Sequence, residues 1–202
     1  MNQSSLLSAQ AVRLANQVSV TLEVSAGEII FIHGPSGSGK TLLLRALADL
    51  DEHQGDIYLN KARQSDIKPT DWRHKVGYLA GESAWWEETV GNHFPAEISI
   101  SMASLQLPDN IVNASIQNLS IGEKQRLALL RLLNHQPDIL LLDEPTANLD
   151  QSNIHYVETL IREYIKDQHR AAVWVSHDLQ QAKRLGYRSY EMTPGGLIEA
   201  GI

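Results

Sequence analysis

Between Ser19 and Val24 polar and apolar residues alternate one for one, the period of a strand with a single buried face. Ala26-Gly27-Glu28 then turns the chain into the unbroken apolar run Ile29 to Ile32, which reads as a strand buried on both sides. The runs Ile139 to Leu142 and Ala171 to Val175 have the same character, and Asp56 to Asn60 and Val76 to Leu79 read as further short strands. Thr41 to Leu50 is rich in helix formers with apolar residues on the helical repeat, and Gly122 to Asn134 and Gln151 to Gln168 also read as helices. Asp178 to Leu185 reads as one more, with Asp178 near its N-cap. Apolar strands alternating with helices imply a mainly parallel sheet covered on both faces, so the fold class is α/β.

Two stretches break this rhythm. Lys61 to Arg73 is polar and contains a proline, and reads as thinly structured. From about residue 82 to 118 the patterning is irregular, with Trp85-Trp86, Pro95 and Pro108, and reads as a short helical lobe inserted into the fold. Trp85 and Trp86 are either core residues of that lobe or an aromatic patch for a partner helix. Residues 1–202 together read as one domain carrying this lobe.

Composition narrows the classes. With 43% apolar and 20% charged residues and no repeats, the chain is globular rather than disordered. A formal charge of −7, from 17 basic and 24 acidic residues, argues against a dedicated nucleic-acid surface. The absence of cysteine excludes disulfides, thiolate metal sites and cysteine nucleophiles. The start lacks a cationic region followed by an apolar core, and no apolar run approaches the roughly 20 residues that span a bilayer. The expectation is a cytoplasmic protein that reaches any membrane by docking on another protein.

Gly34-Pro35-Ser36-Gly37-Ser38-Gly39-Lys40-Thr41 is a G-x-x-x-x-G-K-[ST] loop between an expected strand and an expected helix, the context that this motif requires. A triphosphate is strongly anionic, so its site needs convergent donors. Glycines let backbone N–H groups wrap the phosphates, and the helix start adds its dipole. Lys40 then reaches the outer phosphates and Thr41 offers a hydroxyl to Mg²⁺. Asp143-Glu144 ends the apolar strand Ile139 to Leu142, where open α/β sheets hold their ligands. Asp143 is there a candidate to hold Mg²⁺ through water, and Glu144 to orient or deprotonate the attacking water.

Leu119-Ser120-Ile121-Gly122-Glu123-Lys124-Gln125-Arg126 resembles the LSGGQ signature of ABC ATPases, with Ser120 standing 23 positions before Asp143. Pro145-Thr146-Ala147-Asn148-Leu149-Asp150 looks like the family's D-loop, and Ser176-His177-Asp178, with His177 34 residues after Asp143, like its switch histidine. The resemblance covers nearly the whole chain. It implies a P-loop NTPase of the ABC type, with a small antiparallel β part, that binds and hydrolyses ATP with Mg²⁺. It also implies a head-to-tail homodimer holding two ATP molecules, in which Ser120 and the Gly122 N–H serve the nucleotide of the other subunit, and it makes Glu123 and Asp150 further nucleotide-binding candidates. His177 would contact the γ-phosphate and help to position the water and Glu144, and an integral membrane subunit would be the partner at the inner face of the membrane. LPDNIV, LSIGEKQRLALLRLL and the stretch from Asp143 to Asp178 look similar to ATPases of iron or metal export systems.

The chain departs from the family pattern in three places. The Q-loop glutamine is replaced by Gly81, followed by Glu82, which is a possible oxygen ligand in its stead. Ile121 stands where glycine is usual, a residue that would be strained if the position demanded positive φ. No aromatic residue lies near Ala11 to Leu14 to stack on adenine, which leaves Leu14 or Arg13 to pack there. Besides the transporter subunit, a soluble ABC ATPase of an assembly pathway and an ATP-binding regulator with little turnover stay open. Fewer than 80 residues separate Thr41 from Leu119, which leaves no room for the long insertions of DNA-repair members.

Overall fold

The computed structural model describes residues 5–95, 97–166, 169–185 and 187–200. Its centre is a six-stranded sheet built from β3 (Ile29–His33), β6 (Val76–Leu79), β7 (Ile139–Asp143), β8 (Ala171–Val175), β9 (Arg188–Thr193) and β10 (Gly196–Ala200). The strand order is β10-β9-β3-β8-β7-β6. All neighbours pair in parallel except β10, which returns antiparallel on β9. A second, antiparallel sheet has the order β2-β1-β4-β5, from β1 (Ser5–Arg13), β2 (Ser19–Ser25), β4 (Gln54–Leu59) and β5 (Ala62–Arg63). Among the described residues there are five α-helices: α1 (Lys40–Leu47), α2 (Pro69–Lys75), α3 (Ile121–Asn134), α4 (Gln151–Ile165) and α5 (Leu179–Leu185).

The apolar runs are unbroken because both faces of the central sheet are covered. Ile30, Ile32, Ile139, Leu141, Val173 and Val175 join one core with α1 and the antiparallel sheet, whereas Phe31, Leu140, Leu142 and Trp174 join the other with α3 and α4. Side chains alternate across a strand, so a strand covered twice must be apolar at every position. Phe31 and Trp174, paired in register, stack with ring centroids 5.1 Å apart.

Three elements differ from expectation. The strand β1 escapes the alternation test because its register shifts between Ala9 and Val12, where Ala11 has φ 49°. Pro69 starts α2 rather than breaking it, since the first helical position needs no N–H. The segment expected as a helical lobe has no α-helix among its described residues. It is a series of short 3-10 turns at Gly91–His93, Met102–Leu105, Asp109–Asn113 and Ile116–Asn118. Pro95 and Pro108 forbid longer helical runs, and the turns still bury Val90, Met102, Leu105 and Ile111 against α3 and α4. The expected helix from Gln151 is described to Ile165, and residues 167 and 168 lie outside the described residues.

Trp72 of α2 is fully buried and its indole N–H donates to the Leu47 carbonyl at 2.9 Å, which closes the end of α1. Trp72→Ala is expected to destabilise the protein by about 3–5 kcal/mol, the cost of a large cavity plus one lost hydrogen bond. Equilibrium urea unfolding measures it.

Candidate active site

Because β3, β7 and β8 are parallel neighbours, the loops that leave their carboxyl ends meet at one edge. After β3 comes the loop Gly34 to Gly39. Gly34 has φ 139°, and a Cβ there would lie 2.7 Å from the Met192 carbonyl, so neither the conformation nor the space admits a side chain. Gly39, at φ 108°, precedes α1 with no side-chain cap, which leaves the first N–H groups of the helix free to face an anion. Asn16, in the turn between β1 and β2, holds this loop from the side: its amide donates to the Ser38 carbonyl at 3.2 Å while its oxygen accepts from the Val18 N–H at 3.3 Å.

Lys40 is buried at the start of α1, with its ammonium donating to the Gly34 and Pro35 carbonyls at 2.9 Å each. Burial pushes its pKa down, against the opposing pull of the Glu144 and Asp143 carboxylates. Thr41 donates its hydroxyl to Asp143 Oδ2 at 2.8 Å. The Tyr78 hydroxyl reaches the same oxygen at 3.2 Å, and burial and the neighbouring Asp143 both raise its pKa, so it remains a donor.

Glu144 follows β7 with φ 52°, a left-handed conformation that a glutamate adopts only when its surroundings impose it. Its N–H is held by the Val175 carbonyl at 3.0 Å, and its Oε1 meets His177 Nε2 at 2.8 Å. Ser36, Lys40, Thr41, Asp143, Glu144 and His177 thus line one cleft of about 290 Å³. These are the sequence candidates for phosphate, metal and water, brought together.

Ser120, Gly122, Glu123 and Asp150 do not line that cleft. Ser120 caps α3 in a capping box: its hydroxyl accepts from the Glu123 N–H at 3.3 Å, and Glu123 Oε2 accepts the Ser120 N–H at 2.9 Å and hydroxyl at 2.7 Å. These bonds from Ser120 hold the Glu123 carboxyl below its usual range. Asp150 caps α4 by accepting from the Asn153 N–H at 3.0 Å. A Cβ on Gly122 would sit 3.3 Å from Leu149, so the α3 start and the segment before α4 pack as one patch. Ile121, 68% exposed, has helical backbone, and the glycine that it replaces was not needed for positive φ.

The other departures resolve as follows. Gly81 has open space beside the Asp143 carbonyl, and Glu82 is exposed and does not line the cleft. Leu14 is buried and Arg13 is paired in the sheet. Asn16 and Val18 instead border the groove next to Ser36 to Ser38. Sequence reading missed Asn16 and Tyr78, although each carried a signal: an asparagine in a tight turn that bonds two residues on, and a lone polar tip in a buried strand. Neither tryptophan is a simple core residue. Trp85 is half-buried and Trp86 67% exposed. The Arg131 guanidinium lies 4.6 Å and 5.0 Å from their ring centres, and the His93 ring meets both edge-on.

A glycine loop between a buried parallel strand and a helix, with a threonine–carboxylate pair and a glutamate–histidine pair facing it, defines a P-loop nucleoside triphosphatase. Comparison with known proteins narrows this class. The family model described as ABC transporter matches residues 17–147. Over 179 residues the chain is 37% identical to the protein named "Probable iron export ATP-binding protein FetA" of Escherichia coli, covering 82% of this chain and 79% of that one. It is 32% identical to "Phosphate import ATP-binding protein PstB 2" of Natronomonas pharaonis, covering 91% and 73%. A bacterial Atm1-family ABC exporter, solved with ATP bound, superposes with a TM-score of 0.82 at 23% identity, over 98% of this chain. This chain spans 39% of that exporter's length. The chain belongs to the ABC transporter family. It is an ATP-binding and ATP-hydrolysing subunit of that family, as its fold and signature lead one to expect.

Ser120→Ala removes the hydroxyl from the capping box and is expected to cost about 1 kcal/mol of stability at neutral pH. The Glu123 pKa is depressed in the folded state, so its contribution is present above the ordinary carboxylate range and is lost as pH falls through the folded value. The gap between wild type and Ser120→Ala should therefore narrow on acidification, as read from denaturant midpoints between pH 7 and roughly pH 3.

Proposed function

We propose that the chain works as a head-to-tail homodimer that closes around two ATP molecules and drives a separate integral membrane subunit. The observation that carries the hydrolytic part is the 2.8 Å contact of Glu144 with His177, in the cleft that also holds Lys40 and the Thr41–Asp143 pair. Glu144 is the candidate base for the attacking water. His177 holds that carboxylate in place and lines the same cleft, where its ring would stand beside the γ-phosphate. Lys40 exchanges the loop carbonyls that it now contacts for phosphate oxygens, and Gly34 to Gly39 wrap the phosphates with backbone N–H groups.

The donor set fits Mg²⁺. A hydroxyl and a carboxylate 2.8 Å apart are hard oxygen ligands, and among the described residues no group of three or more His, Asp or Glu could hold a metal unaided. Mg²⁺ is commonly held in this way, by one or two protein oxygens and the substrate's phosphates. When bound it would neutralise charge on the outer phosphates. Thr41 and Asp143 would hold it, with the Asp143 carboxylate also orienting the Thr41 hydroxyl.

The second copy is supported by the separation of the two patches. Ser120, Gly122, Glu123 and Asp150 do not line the chain's own cleft, which favours their serving the phosphates held by a second copy. The single-domain reading of 1–202, with a lobe at about 82–118, belongs to the same proposal: the lobe shares its core with α3 and α4. No described helix is long and apolar enough to cross a membrane, so the membrane would be reached through a partner at its inner face. The groove between the lobe and α3, lined by Tyr78, Trp86, Phe94 and Arg131, is the candidate seat for that partner. Cargo does not follow, since relatives with the same motor are named for iron export and for phosphate import.

Steady-state ATP hydrolysis by the purified protein, alone and with membrane partners, tests the reading. Glu144→Gln and His177→Ala should each lower turnover by about 10²-fold or more, as loss of a general base or its orienting group does. Glu144→Gln should elute as a dimer in ATP and Mg²⁺ and as a monomer without them. Wild-type turnover in both variants would sink the proposal.

A further inference from the structure

The segments that carry Glu144 and His177 are joined behind the pair by one buried side chain. The backbone ladder between β7 and β8 runs as far as the Glu144 N–H on the Val175 carbonyl. Beyond that rung stand Thr146, two residues after Glu144, and Ser176, the residue before His177. Gln181 of α5, 1% exposed, bonds both: its Oε1 accepts from the Ser176 hydroxyl at 3.1 Å, and its Nε2 donates to Thr146 Oγ1 at 3.3 Å. The second Nε2 hydrogen goes to Glu158 Oε1 at 2.8 Å, a buried carboxylate that also receives the Arg184 guanidinium at 2.5 Å. Ser176 Oγ in turn accepts from the Asp178 N–H at 3.1 Å. Glu158 can only accept here, so the amide must turn its nitrogen to Glu158 and Thr146 and its oxygen to Ser176. The orientation of the amide is thereby fixed, and both of its donors are used.

We infer that Gln181 is a positioning residue for the hydrolytic pair: it sets the separation of the two strand ends from which Glu144 and His177 face each other. The inference rests on the reading of that pair given above. Glu144 keeps its left-handed backbone only while its surroundings dictate it, and His177 is half exposed, so packing around its own ring is a weak constraint. A fully satisfied buried amide between the segments supplies the constraint that the exposed ring lacks. The hydrogen bonds of the Gln181 side chain go to Ser176, Thr146 and Glu158 and not to residues Gly34 to Thr41, so its loss should impair turnover while sparing nucleotide affinity.

The test uses Gln181→Met, close in shape but without hydrogen bonds, and Thr146→Val, which removes only the hydroxyl at a half-buried position. Each should lower kcat by about tenfold with the dissociation constant of a fluorescent ATP analogue within twofold of wild type. The double variant should lose no more than either single one, because one link is being cut. Thr146→Ser, which returns the hydroxyl, should restore turnover. The His177 ring resonance, identified by its disappearance in His177→Ala, should shift in both variants in the nucleotide-free protein, a readout that needs no turnover. An unmoved resonance with wild-type kcat overturns the inference, and so does a loss of affinity in step with kcat, which would mean general loosening. If Glu144→Gln and His177→Ala themselves keep turnover, the pair reading falls instead; if they lose it while Gln181→Met does not, only the role of Gln181 falls.

Discussion

A strand buried on both faces can carry polar groups only where it ends, and this constraint organises the whole molecule. In β3, β7 and β8 every position faces one apolar core or the other until the last residue. Asp143, the final residue of β7, is the first place at which a carboxylate can be tolerated, and it is tolerated because Thr41 and Tyr78 donate to it. Parallel pairing then sets the three strand ends side by side. The cleft is the point at which the sheet stops being able to exclude water, and the chemistry collects there.

The groups in that cleft are satisfied internally. Lys40 rests on its own loop carbonyls, Glu144 on His177, and Thr41 on Asp143. At the distant patch Ser120 and Glu123 satisfy each other in the capping box. A buried ammonium without partners would be costly, so this arrangement keeps the protein stable between cycles. In the proposed reaction a phosphate takes the place of the carbonyls around Lys40 and of part of the Ser120 bonding. In that reading, binding energy would go into exchanging partners at both patches, which would favour closure of two copies over occupancy of one.

How much of this could be read in the sequence depended on whether a residue's role follows from its neighbours in the chain. Glycine spacing, the carboxylates after β7 and the histidine after β8 are local patterns attached to apolar runs, and the fold class follows from the runs themselves. Strand β1 was illegible because a bulge shifts its alternation, and α2 because a proline at a helix start looks like a proline in a loop. The lobe was expected to be helical, yet its prolines limit it to single 3-10 turns. Asn16, Tyr78 and Gln181 were missed for a shared reason. Each is defined by a partner far along the chain, at separations of 22, 65 and 35 residues, and no periodicity encodes such a contact.

The absent Q-loop glutamine shows what this difference means for function. In the family pattern that residue links the site to the inserted lobe, and here Gly81 leaves the position without a side chain while Glu82 points its charge to solvent. Tyr78, three residues earlier, bonds Asp143 and also lines the groove shared with Trp86, Phe94 and Arg131. A partner seated in that groove, as proposed above, would therefore touch the same side chain that donates to Asp143.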